Sequence, residues 1–397
     1  MTVIIKAMTS RARLAIATAS TAIVAYVAVG SLLGRVMGDT TYGQLAVFNE
    51  VVRMVLDSYV EPINLDRAMS AADRGLTEAL DGDSVYLDEE EFKAYQQGPR
   101  DSDAEVGLTL TRRFGFLMTL APRVGSPAEK AGLRAGDILK TIDGRHTRPL
   151  GPPAGERLLR GAPGSIVKLQ ILRAGSDPLD VSVVRERPTP ALPSARMLAE
   201  AVGYVKLPEL SPRSADEVRD AVEGLARSGA RRLVLDVRGA AFGQPAEAVR
   251  VAELFMKGGV VAKLTGRKRA DQILSADPAR SVWELPLAVL VDRGTAGPAE
   301  IAAAALLDSG RATLVGEHTF GRAAVQRAIP LGTGGLVLTV ARYVSPKGNV
   351  IHGKGIAPTV AVDLPDEPPA EGSTPTDLIL EKALDVLKSG IEAKKAA

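Results

Sequence analysis

The chain has 397 residues, a formal net charge of +2, no cysteine and three histidines. Its length allows two or more domains with separate cores, and the near-neutral charge argues against nucleic acid as the main partner, since a polyanion favours a strong basic excess. Without cysteine there is no disulfide, thiol nucleophile or thiolate metal site, and His146, His318 and His352 stand neither at i,i+4 from one another nor in a carboxylate cluster, so no metal or other cofactor is expected.

Leu14 to Leu33 is free of charge and is preceded by Lys6, Arg11 and Arg13. About 20 helical residues span roughly 30 Å, the thickness of a bilayer's hydrocarbon core. Positive charge ahead of the run predicts a cytoplasmic N-terminus and an exported remainder. Residues 1–38 therefore read as a cytoplasmic stub and membrane anchor, the alternative being a cleaved signal sequence. The run exceeds a typical signal core and no clear Ala-x-Ala site precedes Gly34, which favours the anchor. The expected location is the bacterial inner membrane, with one N-terminal span and the soluble part in the periplasm; the alternative is secretion to the periplasm after cleavage.

Residues 39–97 read as an N-terminal helical segment. Thr41 to Tyr59 is amphipathic, with Leu45, Phe48, Val52, Val55, Leu56 and Tyr59 on one stripe, and Pro62 ends it. A second helix fits Asp66 to Leu80, stopped by the turn cluster Asp81 to Ser84. Residues 98–188 read as a small domain of short strands: VGLTL (Val106 to Leu110), FGFLMTLAP (Phe114 to Pro122), a short helix from Pro127 to Gly132, a turn at Asp143-Gly144 and a closing pair of strands.

Beyond the proline-rich crossover Pro188 to Pro193, strands and helices alternate over residues 189–370, the pattern of a layered α/β core. RRLVLDVRG and LPLAVLVD are near-continuous apolar runs, as expected of strands buried on both faces. Ala246 to Lys257 and Pro298 to Ser309 read as helices, ATLVGE as a strand and GGLVLTVARYVSP as an antiparallel addition. Residues 371–397 read as a C-terminal helix and tail, with the stripe Leu380, Ala383, Leu384, Leu387 and a stop at Gly390.

Six stretches carry a family resemblance: LDGDSVYLDEEEF, SPAEKAGLRAGDILKTIDG, LLRGAPGSIVKLQILR, LVLDVRG, DRGTAGPAEIAAAALLDSGRATLVGEHTFGRAAVQ and ARYVSPKGNVIHGKGIAP. In this order, across about residues 45 to 390, they resemble the C-terminal processing (tail-specific) serine peptidases. The resemblance implies an α/β, multi-domain fold: a peptidase core with an inserted PDZ domain and helices at both ends. It also implies a Ser nucleophile and a Lys general base. A serine hydroxyl is a poor nucleophile until a base takes its proton, burial lets a lysine act as that base, and the oxyanion needs preorganised N–H donors.

Carried over residue by residue, the nucleophile position is Gly297 and the base position is Arg322, 25 residues on, with the orienting glutamine kept as Gln326. Gly297 has no side chain, and an arginine stays protonated at any physiological pH. The first oxyanion donor would come from residue 298, a proline without an N–H. Gly243 is the candidate for the second donor. Proline is favoured at a first helical position, which explains its tolerance without restoring the donor. Thr295 is either a turn-bonding residue or a replacement nucleophile. Arg322 is read as pairing with Glu300 or Asp236, or as binding a peptide carboxylate bidentately. The segment Val106, Gly107, Leu108, Thr109 and Leu110 matches the PDZ carboxylate-binding loop and strand, which would take a peptide C-terminus as an added strand; the family prefers glycine where Thr109 stands.

The resulting expectation is a pseudopeptidase: an anchored, exported homologue that binds protein C-termini or unfolded peptides as a scaffold or regulator, alone, as a homo-oligomer or with an active peptidase. The alternatives are an active serine-type endopeptidase with a non-standard site that processes periplasmic protein C-termini, and a structural subunit whose groove is also lost.

Overall fold

The computed structural model describes residues 43–100, 103–364 and 376–395. The apolar run Leu14 to Leu33 lies outside them. Among the described residues no helix is long and apolar enough to cross a membrane. The chain divides into two compact units, residues 1–69 and 70–397. The first contains a helix over 43–58, on which Leu45, Phe48, Val55 and Leu56 are exposed. The helix Leu65–Glu78 crosses the division.

In the second unit, residues from Ala104 to Glu186 form an antiparallel domain. Leu108–Arg113, Phe116–Pro122, Ile138–Ile142, Ile166–Leu172 and Leu179–Val184 lie in that order across one sheet, making Leu108–Arg113 an edge strand. The bridges Ala104 to Gly161 and Glu105 to Glu186 close the domain at its ends. Phe114 and Gly115, expected within a strand, instead make the hairpin turn. Both have positive φ (53° and 73°), which a two-residue hairpin turn requires, and the Phe114 ring is exposed there. The helix Pro152–Leu159 packs on the sheet through Gly155, where a Cβ would meet Leu117 Cδ1 at 2.2 Å, so only glycine allows this approach.

The core has a six-stranded sheet in which Val202–Lys206, Arg232–Asp236, Leu287–Val291, Thr313–Gly316 and Val360–Ala361 run parallel, with Ser194–Leu198 as an antiparallel edge. Its two faces are separately covered. Leu233 and Leu235 point to the side packed by the helices Ser214–Arg227, Pro245–Glu253 and Pro298–Asp308, while Val234 points to the side covered by Ile379, Ala383 and Leu387 of the helix Leu378–Lys395. This two-sided burial explains why these strands read as continuous apolar runs.

Gly390 does not stop the last helix, which runs on to Lys395; one glycine costs a helix only about 1 kcal/mol, and the residues after it are good helix formers. The expected antiparallel addition is the hub of a second sheet. Gly334–Val344 pairs with Val85–Leu87, Val260–Thr265 and Ala324–Leu331, so the N-terminal part of this unit is stitched into the core 250 residues away by register Val85 to Val337 through Leu87 to Gly335.

Candidate active site

The strand Leu287–Val291 enters a tight turn that opens the helix Pro298–Asp308. Asp292 organises the turn: one carboxylate oxygen accepts the N–H groups of Gly239 (2.9 Å) and Gly294 (3.1 Å) and contacts Thr295 Oγ1 (3.0 Å). Thr295 is fully buried, accepts the Asp292 N–H and lies 3.0 Å from the Val237 carbonyl. Its hydroxyl is thus held between the turn and the Val237 carbonyl.

Gly297 caps the helix at φ 59°, ψ −119°, a conformation that L side chains rarely adopt. A Cβ there would point at the Arg322 carbonyl oxygen, 3.5 Å away, so the fold brings positions 297 and 322 side by side. Pro298 takes the first helical position. The element that holds the two segments together is Glu300, a fully buried carboxylate. It accepts the N–H of Gly297 (2.9 Å), Gly321 (2.6 Å) and Arg322 (2.7 Å) and the hydroxyl of Thr319. Burial pushes its pKa up, and those four donors pull against the shift.

Arg322 pairs with neither of the acids expected from sequence. Glu300 takes only its backbone N–H, and Asp236 is enclosed by Lys206, Arg238 and the Tyr204 hydroxyl. The Arg322 guanidinium instead donates through Nε to Asp83 Oδ2 at 3.0 Å. Asp83 belongs to the Asp81–Ser84 turn, whose shape is set by Asp81 accepting the N–H of Asp83 and Ser84. Although burial pushes the Asp81 carboxyl up, the nearby His352 ring and the hydrogen bonds from those backbone groups hold it well below the ordinary range. Gln326, on the strand Ala324–Leu331 that follows, faces the same pocket as Arg322.

Gly243 sits apart from this turn's hydrogen bonds, in a bridge to Leu210, with φ 128°; a Cβ there would lie 2.3 Å from the Leu210 carbonyl oxygen. Its neighbours Phe242 and Gln244 exchange backbone hydrogen bonds with Leu210.

The small domain closes over the turn. Leu120 and Ala121 of its strand Phe116–Pro122 pack on Ala241 and Ala296, with Phe242 and Phe320 at the margin. Arg113 stacks over Phe320 at 4.6 Å and Arg123 over Phe242 at 4.3 Å, and Arg123 also pairs with Glu209. Gly294 to Glu300 are consequently all buried.

Just before the edge strand, Val106 is fully buried and its carbonyl accepts the Ala128 N–H. Gly107 has φ 77° and abuts Ser126, and Leu108, Thr109 and Leu110 begin the strand. The chain supplies partners for two of that strand's donors: Glu156 Oε1 for the Leu110 N–H, at a long 3.5 Å, and the Gly82 carbonyl for the Arg112 N–H at 3.1 Å. A peptide adding to the whole edge would displace both.

Sequence reasoning missed Asp83 as a site residue and took Glu300 only as one of two ion-pair partners for Arg322. Glu300 carries a local signal, an acid three positions after a helix cap. Asp83 carries none, because its partner is 239 residues away.

An antiparallel peptide-binding domain seated on an α/β core with a strand–turn–helix presentation defines a PDZ-bearing serine peptidase fold. The model of peptidase family S41 matches residues 201–362, and a PDZ domain model matches residues 120–173. The chain is 32% identical over 339 residues to the carboxy-terminal processing protease CtpA of Bacillus subtilis (strain 168), covering 85% of this chain and 72% of that one. It is 31% identical over 336 residues to the carboxy-terminal-processing protease of Bartonella bacilliformis, covering 82% and 77%. Among solved structures, the photosystem II D1 C-terminal processing protease matches with a TM-score of 0.68 at 30% identity, over 79% of this chain and 86% of that chain. The chain belongs to the family of CtpA-like carboxy-terminal processing proteases. Its PDZ and peptidase domains are those of a protein that binds peptides or protein C-termini.

Proposed function

We propose that this chain is a catalytically silent member of its family, which holds peptides or protein C-termini without cutting them and acts as a scaffold or as a regulator of an active peptidase. The observation that carries the reading is the pairing of positions 297 and 322. The first is a glycine with no group to attack a carbonyl, and the second is a permanently charged guanidinium engaged by Asp83 at 3.0 Å. Two further features support it. Pro298 has no N–H to give an oxyanion, where loss of one donor typically slows acyl transfer by about 10²- to 10³-fold. Thr295 is fully buried, with its hydroxyl bonded to the Val237 carbonyl and to an Asp292 carboxylate that the N–H groups of Gly239 and Gly294 already engage. The uncharged run Leu14 to Leu33 supports an N-terminal anchor and export of the remainder.

The test is to incubate the full chain with an unfolded substrate carrying an apolar C-terminus. Binding without cleavage is expected. Cleavage that Thr295→Ala abolishes would establish an active endopeptidase with a non-standard site and overturn the proposal. Activity emerging in the combined Gly297→Ser, Pro298→Ala, Arg322→Lys variant would place the loss at those positions.

A further inference from the structure

A pocket of about 320 Å³ lies between the PDZ helix Pro152–Leu159 and the core strand Ala324–Leu331, within the usual size range of ligand sites. Its charges are unevenly satisfied. The acidic members are engaged: Asp83 by Arg322, Glu91 by Arg74 at 3.1 Å, and Asp103 by the Arg100 N–H at 3.1 Å. Glu156 is the exception in kind, a carboxyl that burial pushes towards its neutral form. The basic members are less committed, although the charges of Arg322 and Arg160 act on Glu156 against its shift. Arg157 and Arg160 form no ion pair among the described residues, and Arg322 commits only Nε, leaving both Nη groups without a hydrogen-bond partner. The Gln326 carboxamide faces the same space and is likewise unpartnered among the described residues.

We propose that this pocket is a carboxylate-binding site on the peptide path, with Arg322 as its anchor. The inference rests on the reading above, in which position 322 no longer serves as a base. A guanidinium offers a planar fork that grips a carboxylate bidentately, which a lysine point charge cannot do. Here the fork is already oriented. Asp83 holds Nε from one side, and Glu300 fixes the backbone through the Arg322 N–H at 2.7 Å. The Nη edge is left for the ligand, with Arg157 and Arg160 adding positive potential and Gln326 a neutral donor. The carboxylate comes either from a chain terminus or from an Asp or Glu side chain in the bound segment.

Fluorescence anisotropy on the full chain tests this with three labelled peptides of one apolar sequence: free C-terminus, amidated C-terminus, and amidated with one Asp near the end. The expected result is that the free acid or the Asp peptide binds and the plain amide binds at least tenfold more weakly. A preference for the free acid alone identifies the terminal carboxylate, and equal binding of the Asp peptide identifies a side chain. Arg322→Gln should weaken the preferred peptide tenfold or more, Arg322→Lys by less, and Asp83→Asn should tighten it by removing a competing anion. If Arg322→Gln does not fold, the intermediate loss in Arg322→Lys carries the test. Affinities unchanged in the Arg322 variants, or equal for all three peptides, would overturn the site while leaving the non-cleaving reading intact. Cleavage of a bound peptide would overturn that reading instead.

Discussion

Asp83 Oδ2 accepts a 3.0 Å hydrogen bond from Arg322 Nε, joining an N-terminal turn to the base position of the peptidase core across 239 residues. The pair is asymmetric: the Asp83 side chain is 5% exposed and that of Arg322 25%. Removing the arginine strands a buried carboxylate whose other side-chain contact is the Thr111 hydroxyl at 3.4 Å. Removing the aspartate leaves a guanidinium that still reaches water. Arg322→Gln should therefore destabilise the fold more than Asp83→Ala, by about 2–4 against about 1 kcal/mol. Urea unfolding of both variants and the double mutant checks this; an equal cost, or no coupling between the two, would contradict the asymmetry.

Two glycines at positive φ should respond differently to alanine. At Gly297 the added Cβ meets only the Arg322 carbonyl oxygen, at an ordinary 3.5 Å, so the cost is conformational and about 1–3 kcal/mol. At Gly243 it would lie 2.3 Å from the Leu210 carbonyl oxygen, and backbone must move. Gly243→Ala should then cost more than Gly297→Ala, on the order of 4 kcal/mol or above. Melting temperatures ranked the other way would show that the Leu210 bridge yields easily.

Much of this was legible in the sequence, for physical reasons that differ by element. The runs LVLDV and LAVLV announce strands buried on both faces because both faces are in fact covered. Gly297, Pro298 and Arg322 are legible through the family resemblance, and Glu300 through its place after the cap. The stripe Ala215, Val218, Val222 and Leu225 carries the helical period of Ser214–Arg227, although no motif marks that helix. The Asp83 contact, the covering of Ala296 by Ala121, and the occupied N–H groups of Leu110 and Arg112 are tertiary relationships between segments far apart. Neither periodicity nor local propensity encodes them.

Glu300 is the side chain that ties the helix cap to the Gly321–Arg322 segment, since its two oxygens satisfy three backbone N–H groups from two segments. Glu300→Gln keeps the shape but presents an amide NH₂ to two of those donors. Each buried donor left unsatisfied costs about 1–3 kcal/mol, so a loss of roughly 2–6 kcal/mol is expected. Hydrogen exchange should show the amides of Gly297, Gly321 and Arg322 losing protection first. Unchanged protection there would mean that the segments are held by packing alone.

The pH dependence of stability should bear the mark of Asp236. This carboxyl is 1% exposed, and although burial pushes it up, the Arg238 hydrogen bonds and the nearby Lys206 ammonium hold it at about 2, against an ordinary 3.8. A carboxyl depressed in the folded state takes up its proton first in the unfolded chain. Its contribution is therefore fully present above the unfolded value and is lost as pH falls through the folded one. The shift corresponds to about 2 kcal/mol. Asp81 and Asp377 are depressed as well and act in the same direction, so the diagnostic is a difference. Between pH 5 and pH 2 the native chain should lose about 2 kcal/mol more than Asp236→Asn does. Parallel curves for the two proteins would mean that the cations around Asp236 do not depress it.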